Sequence, residues 1–129
     1  RGRWAGGSGR PRAPEFRLAI VSGARRDEIE LILERLGLAR YFAAIVAAED
    51  VPECKPDPAG YQAARRAVGA RRSVAIEDSR AGLAAAHAAG LRCAVLTTCH
   101  PATAFPDADA VWPSLVERGV ADVRALLDR

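Results

Sequence analysis

Four residues in this sequence have the types and the placement to handle a phosphate beside a divalent metal: Ser22, Lys55, Glu77 and Asp78. Nineteen residues are Lys or Arg, and Lys55, within "VPECKPDPAGY", is the one lysine among them. A compact ammonium acts as a point charge between two anions, where the planar fork of a guanidinium fits poorly. The adjacent carboxylates Glu77 and Asp78 are hard oxygen ligands for Mg²⁺, which takes few protein ligands and keeps waters or phosphate oxygens in its other positions. A serine hydroxyl donates to a phosphoryl oxygen, and the lysine offsets the phosphate's charge.

Each residue also has an ordinary explanation. Ser22-Gly23 suits a strand-to-helix turn. Lys55 in a polar loop needs no partner but water, and Asp78 or Ser79 is a good helix N-cap. Glu77 is harder to explain this way, because a carboxylate entering the edge of a core requires a partner. What favours chemistry over these explanations is that all four fall at successive strand ends.

Those strand ends follow from the apolar pattern. "RLAIVSG" predicts a strand at 17–21, "YFAAIVAAEDV" one at 43–47, "SVAIEDS" one at 73–77, "CAVLTT" one at 93–97 and "ADAVWPSL" one at 109–111. Helices are expected between them. "RRDEIELILERLG" places Ile29, Ile32, Leu33 and Leu36 on one face, with Gly37 closing it. "PAGYQAARRAVGA" repeats that spacing through Tyr61, Ala64 and Val68, and "RAGLAAAHAAG" ends at Gly90. Apolar strands alternating with helices predict an α/β fold, a doubly wound, Rossmann-like parallel sheet covered on both faces. In such sheets ligands bind beyond the carboxyl ends of the strands, where Ser22, Lys55 and Glu77-Asp78 are expected.

The 129 residues, half of them hydrophobic, suffice for one domain with a single core. Residues 1–16 are rich in Gly, Arg and Pro and are expected to form a flexible tail, leaving 17–129 as the core. That tail, with Trp4 able to stack on a base, raises an RNA-binding reading, but one short arm with one aromatic is a weak case and nucleic acid is not the expected partner. The net charge of +3 is weak support for an anionic partner. No apolar run approaches the roughly 20 residues of a membrane span, and the opening residues lack the apolar middle of a secretory leader, so the expected location is cytoplasmic, with no membrane partner. Cys54, Cys93 and Cys99 are odd in number and lack CxxC spacing, which argues against a disulfide framework or a zinc site. Cys99-His100 is only half a metal site, and Arg25 and Arg26, near Ser22, could reach a phosphate or equally be solvated helix residues. The chain opens on Arg1 and contains no methionine, so it is expected to be a piece of a longer protein.

From about 17 to 118 the sequence resembles the C-terminal part of haloacid dehalogenase (HAD) superfamily hydrolases, specifically the β-phosphoglucomutase-like phosphatase group. "VSGA" is similar to that family's second motif, "CKPDPAGY" to its third and "IEDSRAGLAAAHAAG" to its fourth; "FPDADAVWPSL" is similar to its downstream segment. "KPDP" followed about twenty residues later by "IEDSxxG" is a specific pair. The resemblance implies that Ser22 bonds the transferring phosphoryl group and that Lys55 pairs with the nucleophilic carboxylate and the phosphate. It implies that Asp78 binds Mg²⁺, with Glu77 assisting directly or through water. It also implies catalysis through an aspartyl-phosphate, one carboxylate attacking phosphorus and a second serving as acid and base.

The family's first motif, DxDx(T/V), supplies both of those aspartates, and no aspartate precedes Asp27 here. The helical cap domain between the first and second motifs has no counterpart either. In the family the strand bearing the first motif is central, between the strand before Ser22 and the strand before Glu77. Its absence is expected to leave two unpaired edges, and so to make the chain poorly stable, to let the sheet close up, or to admit a substitute strand. The function expected is therefore the C-terminal core of a Mg²⁺-dependent phosphatase or phosphomutase acting on a small phosphorylated metabolite of the sugar-phosphate kind. It is expected to be inactive alone, needing a further N-terminal segment to supply the nucleophile. The alternative is a catalytically silent α/β binding or interaction module.

Overall fold

A computed structural model describes residues 16–128. The expected tail, Trp4 included, falls almost wholly outside the described residues. Among the described residues there are five strands, β1 (Leu18–Val21), β2 (Phe42–Val46), β3 (Val74–Glu77), β4 (Arg92–Leu96) and β5 (Ala110–Trp112). Four α-helices of the described residues lie among them: α1 (Arg26–Leu36), α2 (Ala59–Val68), α3 (Arg80–Ala88) and α4 (Val120–Leu127). Among the described residues no helix is long and apolar enough to cross a membrane.

Local chemistry sets the helix ends. Asp27 and Glu28 lie in the first turn of α1 and Arg35 in its last, each complementing the helix dipole. Gly37 and Gly69 close α1 and α2 in the left-handed region, both at φ 68°, where a side chain would strain the backbone. Ser79, not Asp78, caps α3, its hydroxyl accepting the Gly82 N–H at 3.0 Å.

All strand pairings are parallel, but there are two sheets, β2-β1 and β3-β4-β5. β1 and β3 are not paired. Successive peptide groups along a strand face opposite edges. Ser22 gives its N–H to Val46 O at 3.0 Å, so Ser22 and Ile20 face β2, while Ala19 and Val21 face the open edge. Thr97 gives its N–H to Trp112 O, which turns Ala94 and Leu96 toward β3; Ala75 and Glu77 answer them, and Val74 and Ile76 face the open edge. Between the two edges lies a cavity of about 820 Å³, lined by residues 17–21 and 74–78, with Lys55 and Tyr61 at its carboxyl end. Among the described residues no strand fills the space between β1 and β3.

Helices cover both faces. α1 sets Ile29 and Leu33 against Ile20, Phe42 and Ile45, and α4 sets Leu126 against Ala94 and Trp112 on that same side. On the opposite side Tyr61 of α2 and Leu83, Ala85 and Ala86 of α3 pack with Ala75, Cys93, Val95 and Phe105. α2 touches β1, β2 and α3, so on this side helix packing bridges the two sheets. The expected α1 face is only half buried. Ile29 and Leu33 are covered, but Ile32 and Leu36 are 57% and 64% exposed, because nothing described packs over that flank. In α2 the expected Tyr61, Ala64 and Val68 are all buried.

Candidate functional site

The loop after β2 carries Lys55 across the molecule. Asp57 Oδ1 accepts the Ala59 N–H at 2.9 Å, which starts α2 just beyond the loop. The Lys55 ammonium donates to Val21 O, the last carbonyl of β1, at 3.0 Å, and to Glu77 Oε2, at the end of β3, at 2.5 Å. One side chain thus links the open edge of β1 to the carboxylate at the end of β3.

Glu77 is the buried carboxylate of the site, its side chain 8% exposed. The Tyr61 hydroxyl donates to the same oxygen, Oε2, and the ammonium lies 5.2 Å from the centre of the Tyr61 ring. Burial, reinforced by the neighbouring Glu77 charge, pushes the tyrosine hydroxyl far above its ordinary range, so it stays a donor. Gly82 makes room on the other side. A Cβ there would stand 1.9 Å from Glu77 Oε1, a distance no side chain tolerates.

Ser22 and Asp78 stand at the same end of the strands in different settings. The Ser22 oxygen accepts the Ala24 N–H at 3.1 Å, a turn contact that leaves its proton free to be donated. Ser22 does not line the cavity; its neighbour Val21 does. Asp78 lines the rim and is exposed, and the Cys99 thiol points to its Oδ2 at 3.7 Å.

A Mg²⁺ site requires several hard oxygens. Among the described residues no group of three or more His, Cys, Asp or Glu side chains could hold a metal. Glu77 Oε2 is taken by Lys55 and Tyr61, which leaves Asp78 as the carboxylate facing outward. The described residues therefore do not complete a metal site.

Sequence reasoning read Tyr61 only as a core position of α2. The signal available was its place six residues after Lys55, within the same turn-to-helix segment. Gly82 was visible only as part of a motif, and its role rests on the room it leaves for Glu77. His100 lies in the loop after β4, edge-on to Phe105 with ring centroids 6.2 Å apart. Arg26 bonds Ile45 O and Asp50, which makes it a structural tie. At the amino ends of β4 and β5, away from the site, Asp109 accepts from Cys93 N at 2.8 Å and meets His87 Nε2 at 2.9 Å.

A model of the haloacid dehalogenase-like hydrolase family matches residues 12–96. The chain belongs to that family. Validoxylamine A 7'-phosphate phosphatase of Streptomyces hygroscopicus subsp. limoneus is 40% identical to this HAD-like chain over 102 residues, 78% of the chain and 48% of that protein. Among solved structures, CbbY from Rhodobacter sphaeroides in complex with phosphate is 35% identical, with a TM-score of 0.75 over 84% of this chain and 51% of that one. A mutant form of CbbY has been seen with xylulose-(1,5)bisphosphate. β-Phosphoglucomutase from Clostridium difficile, at 18% identity and TM-score 0.77, shares the fold, covering 87% of this chain and 49% of its own. This HAD-like chain spans about half the length of each of these relatives.

Proposed function

We propose that this chain forms the phosphate-facing core of a Mg²⁺-dependent phosphatase for a small phosphorylated metabolite of the sugar-phosphate class. The observation that carries the reading is the reach of Lys55, which joins the last carbonyl of β1 to Glu77 at the mouth of a strand-wide opening. Ser22 donates its free proton to a phosphoryl oxygen. Lys55 offsets phosphate charge as a point cation. Asp78 offers its exposed carboxylate to Mg²⁺, with the remaining oxygens coming from elsewhere. Phosphatase names among the relatives, and phosphate and a sugar bisphosphate bound to CbbY, support the substrate class.

The attacking carboxylate belongs on a strand lying between β1 and β3. Both edges run parallel and face one cavity, and its carboxyl end presents Lys55 to a strand ending in an acidic residue. The 129 residues alone are then expected to bind phosphate weakly and to turn nothing over. The test is a titration with inorganic phosphate and Mg²⁺ followed by amide NMR, beside a sugar-phosphate hydrolysis assay. Shifts focused on Ser22, Lys55 and Asp78 without turnover are expected. Absence of any focused shift would favour a silent α/β module.

A further inference from the structure

The Tyr61, Glu77 and Lys55 side chains meet at a single oxygen, Glu77 Oε2. Such an arrangement has a cost that must be answered, since a carboxylate this buried is unfavourable unless charged and polar donors surround it. Glu77 has both, an ammonium on one side and a phenol proton on the other. The room for it is equally specific, because Gly82 is the one α3 position whose missing Cβ leaves space against Oε1.

We propose that Tyr61 is a positioning residue: its hydroxyl fixes the Glu77 carboxylate as the resident counter-ion of Lys55, and so determines where the site holds its one ammonium. Oε2 of Glu77 is thereby assigned to the lysine. Val21 O supplies the third fixed point, so the ammonium is tied to β1 and β3 at once. An anion entering the cavity meets an ammonium already paired with Glu77 and reaches it through the one N–H that Val21 O and Glu77 leave over. That last consequence rests on the function proposed above; the geometry of the clamp does not.

The lone lysine makes the test direct. Selective ¹⁵Nζ and ¹³Cε lysine labelling of the full chain gives one side-chain signal, with no phosphate or metal in the sample, so failure here is separate from failure of the phosphatase reading. In the unaltered chain the Lys55 ammonium protons are expected to exchange more slowly than those of free lysine, with a restricted Cε. Tyr61→Phe, which keeps the ring, should speed that exchange by about fivefold, the effect of one hydrogen bond. Glu77→Gln should give at least as large a change, and adding Tyr61→Phe to it should add little. Gly82→Ala attacks the same carboxylate from the opposite side and should loosen Lys55 in the same way. Backbone amide spectra and melting curves report whether each variant is folded. A freely exchanging lysine in the unaltered chain, or a signal unmoved by Tyr61→Phe in a folded variant, overturns the proposal.

Discussion

The two halves of the sheet use the same strand-helix unit and are finished differently. In β3-β4-β5 the middle strand has a partner on each edge and helices on each face. Cys93, Ala94 and Val95 have no exposed surface there, and neither do Leu83, Ala85 or Ala86 of the covering α3. In β2-β1, β1 has no strand partner among the described residues on its edge toward β3. Ala19 of β1 is exposed, and the covering α1 leaves Leu31, Ile32 and Leu36 half exposed or more. A strand gains full burial from two edges and two faces together, so removing one neighbour thins the core on both sides of the gap.

The largest effect expected from this contrast is in the finished half. Leu83→Ala empties a wholly buried site and should cost about 2–5 kcal/mol, enough to unfold a marginal domain. Urea denaturation followed by circular dichroism checks it. An effect under about 1 kcal/mol would mean that the apparent sealing of this half carries little energy.

Next comes the junction. Lys55→Met leaves Glu77 with a tyrosine donor and no cation. With Lys55 a quarter exposed, the cost should be about 2–3 kcal/mol, below the roughly 3–5 of a fully buried pair. Hydrogen exchange should show β1 amides opening earlier in the variant while β4 amides hold. Equal change in both halves would erase the distinction between them.

A smaller effect concerns pH, and Asp109 places it in the finished half. Burial opposes ionisation of Asp109, but the Cys93 N–H and His87 outweigh it and hold the carboxyl below its ordinary value. A folded-state value lower than the unfolded one means that the native form binds fewer protons, so the stabilisation is fully present above the unfolded value near pH 4 and fades as pH falls through the folded one. Asp109→Asn should cost about 1 kcal/mol at neutral pH and flatten the acid limb of the stability profile, read from melts between about pH 2 and 7. An unchanged acid limb would remove Asp109 from the account.

The smallest effect is expected on the thin half. Leu36→Ala removes a side chain that is 64% exposed and should change stability by no more than about 0.5 kcal/mol in equilibrium unfolding. A loss of about 2 kcal/mol or more would show that this flank is covered in solution.

Strand positions were legible to within a residue or so, because each is an apolar run bounded by Gly, Pro or polar residues. The face of α1 was only half legible. Helical spacing shows which residues share a side, but not how wide a neighbour covers it, and Ile32 and Leu36 lie beyond the cover. At the site, the strand-end rule and the KPDP and IEDS motifs pointed to Lys55 and Glu77, which the fold brings into contact. What the sequence could not show was the third member of that contact. Tyr61 meets Glu77 only because α2 crosses the end of β1 closely, and a Cβ at Gly60 would press on Val21 at 2.7 Å. Nor could spacing show that Glu77 turns inward, since that depends on empty space at Gly82.

Viewed as a mechanism, the molecule is two plates on a spine. The contact between α2 and α3 joins the plates along one side, and the gap between β1 and β3 takes the place of a backbone seam. Across that gap stands a single ammonium pin, close to one end. A load pulling β1 from β3 therefore meets a side-chain pin and a helix contact, not a ladder of peptide bonds breaking one after another. The pin and the spine would yield separately, while each plate kept its own rungs.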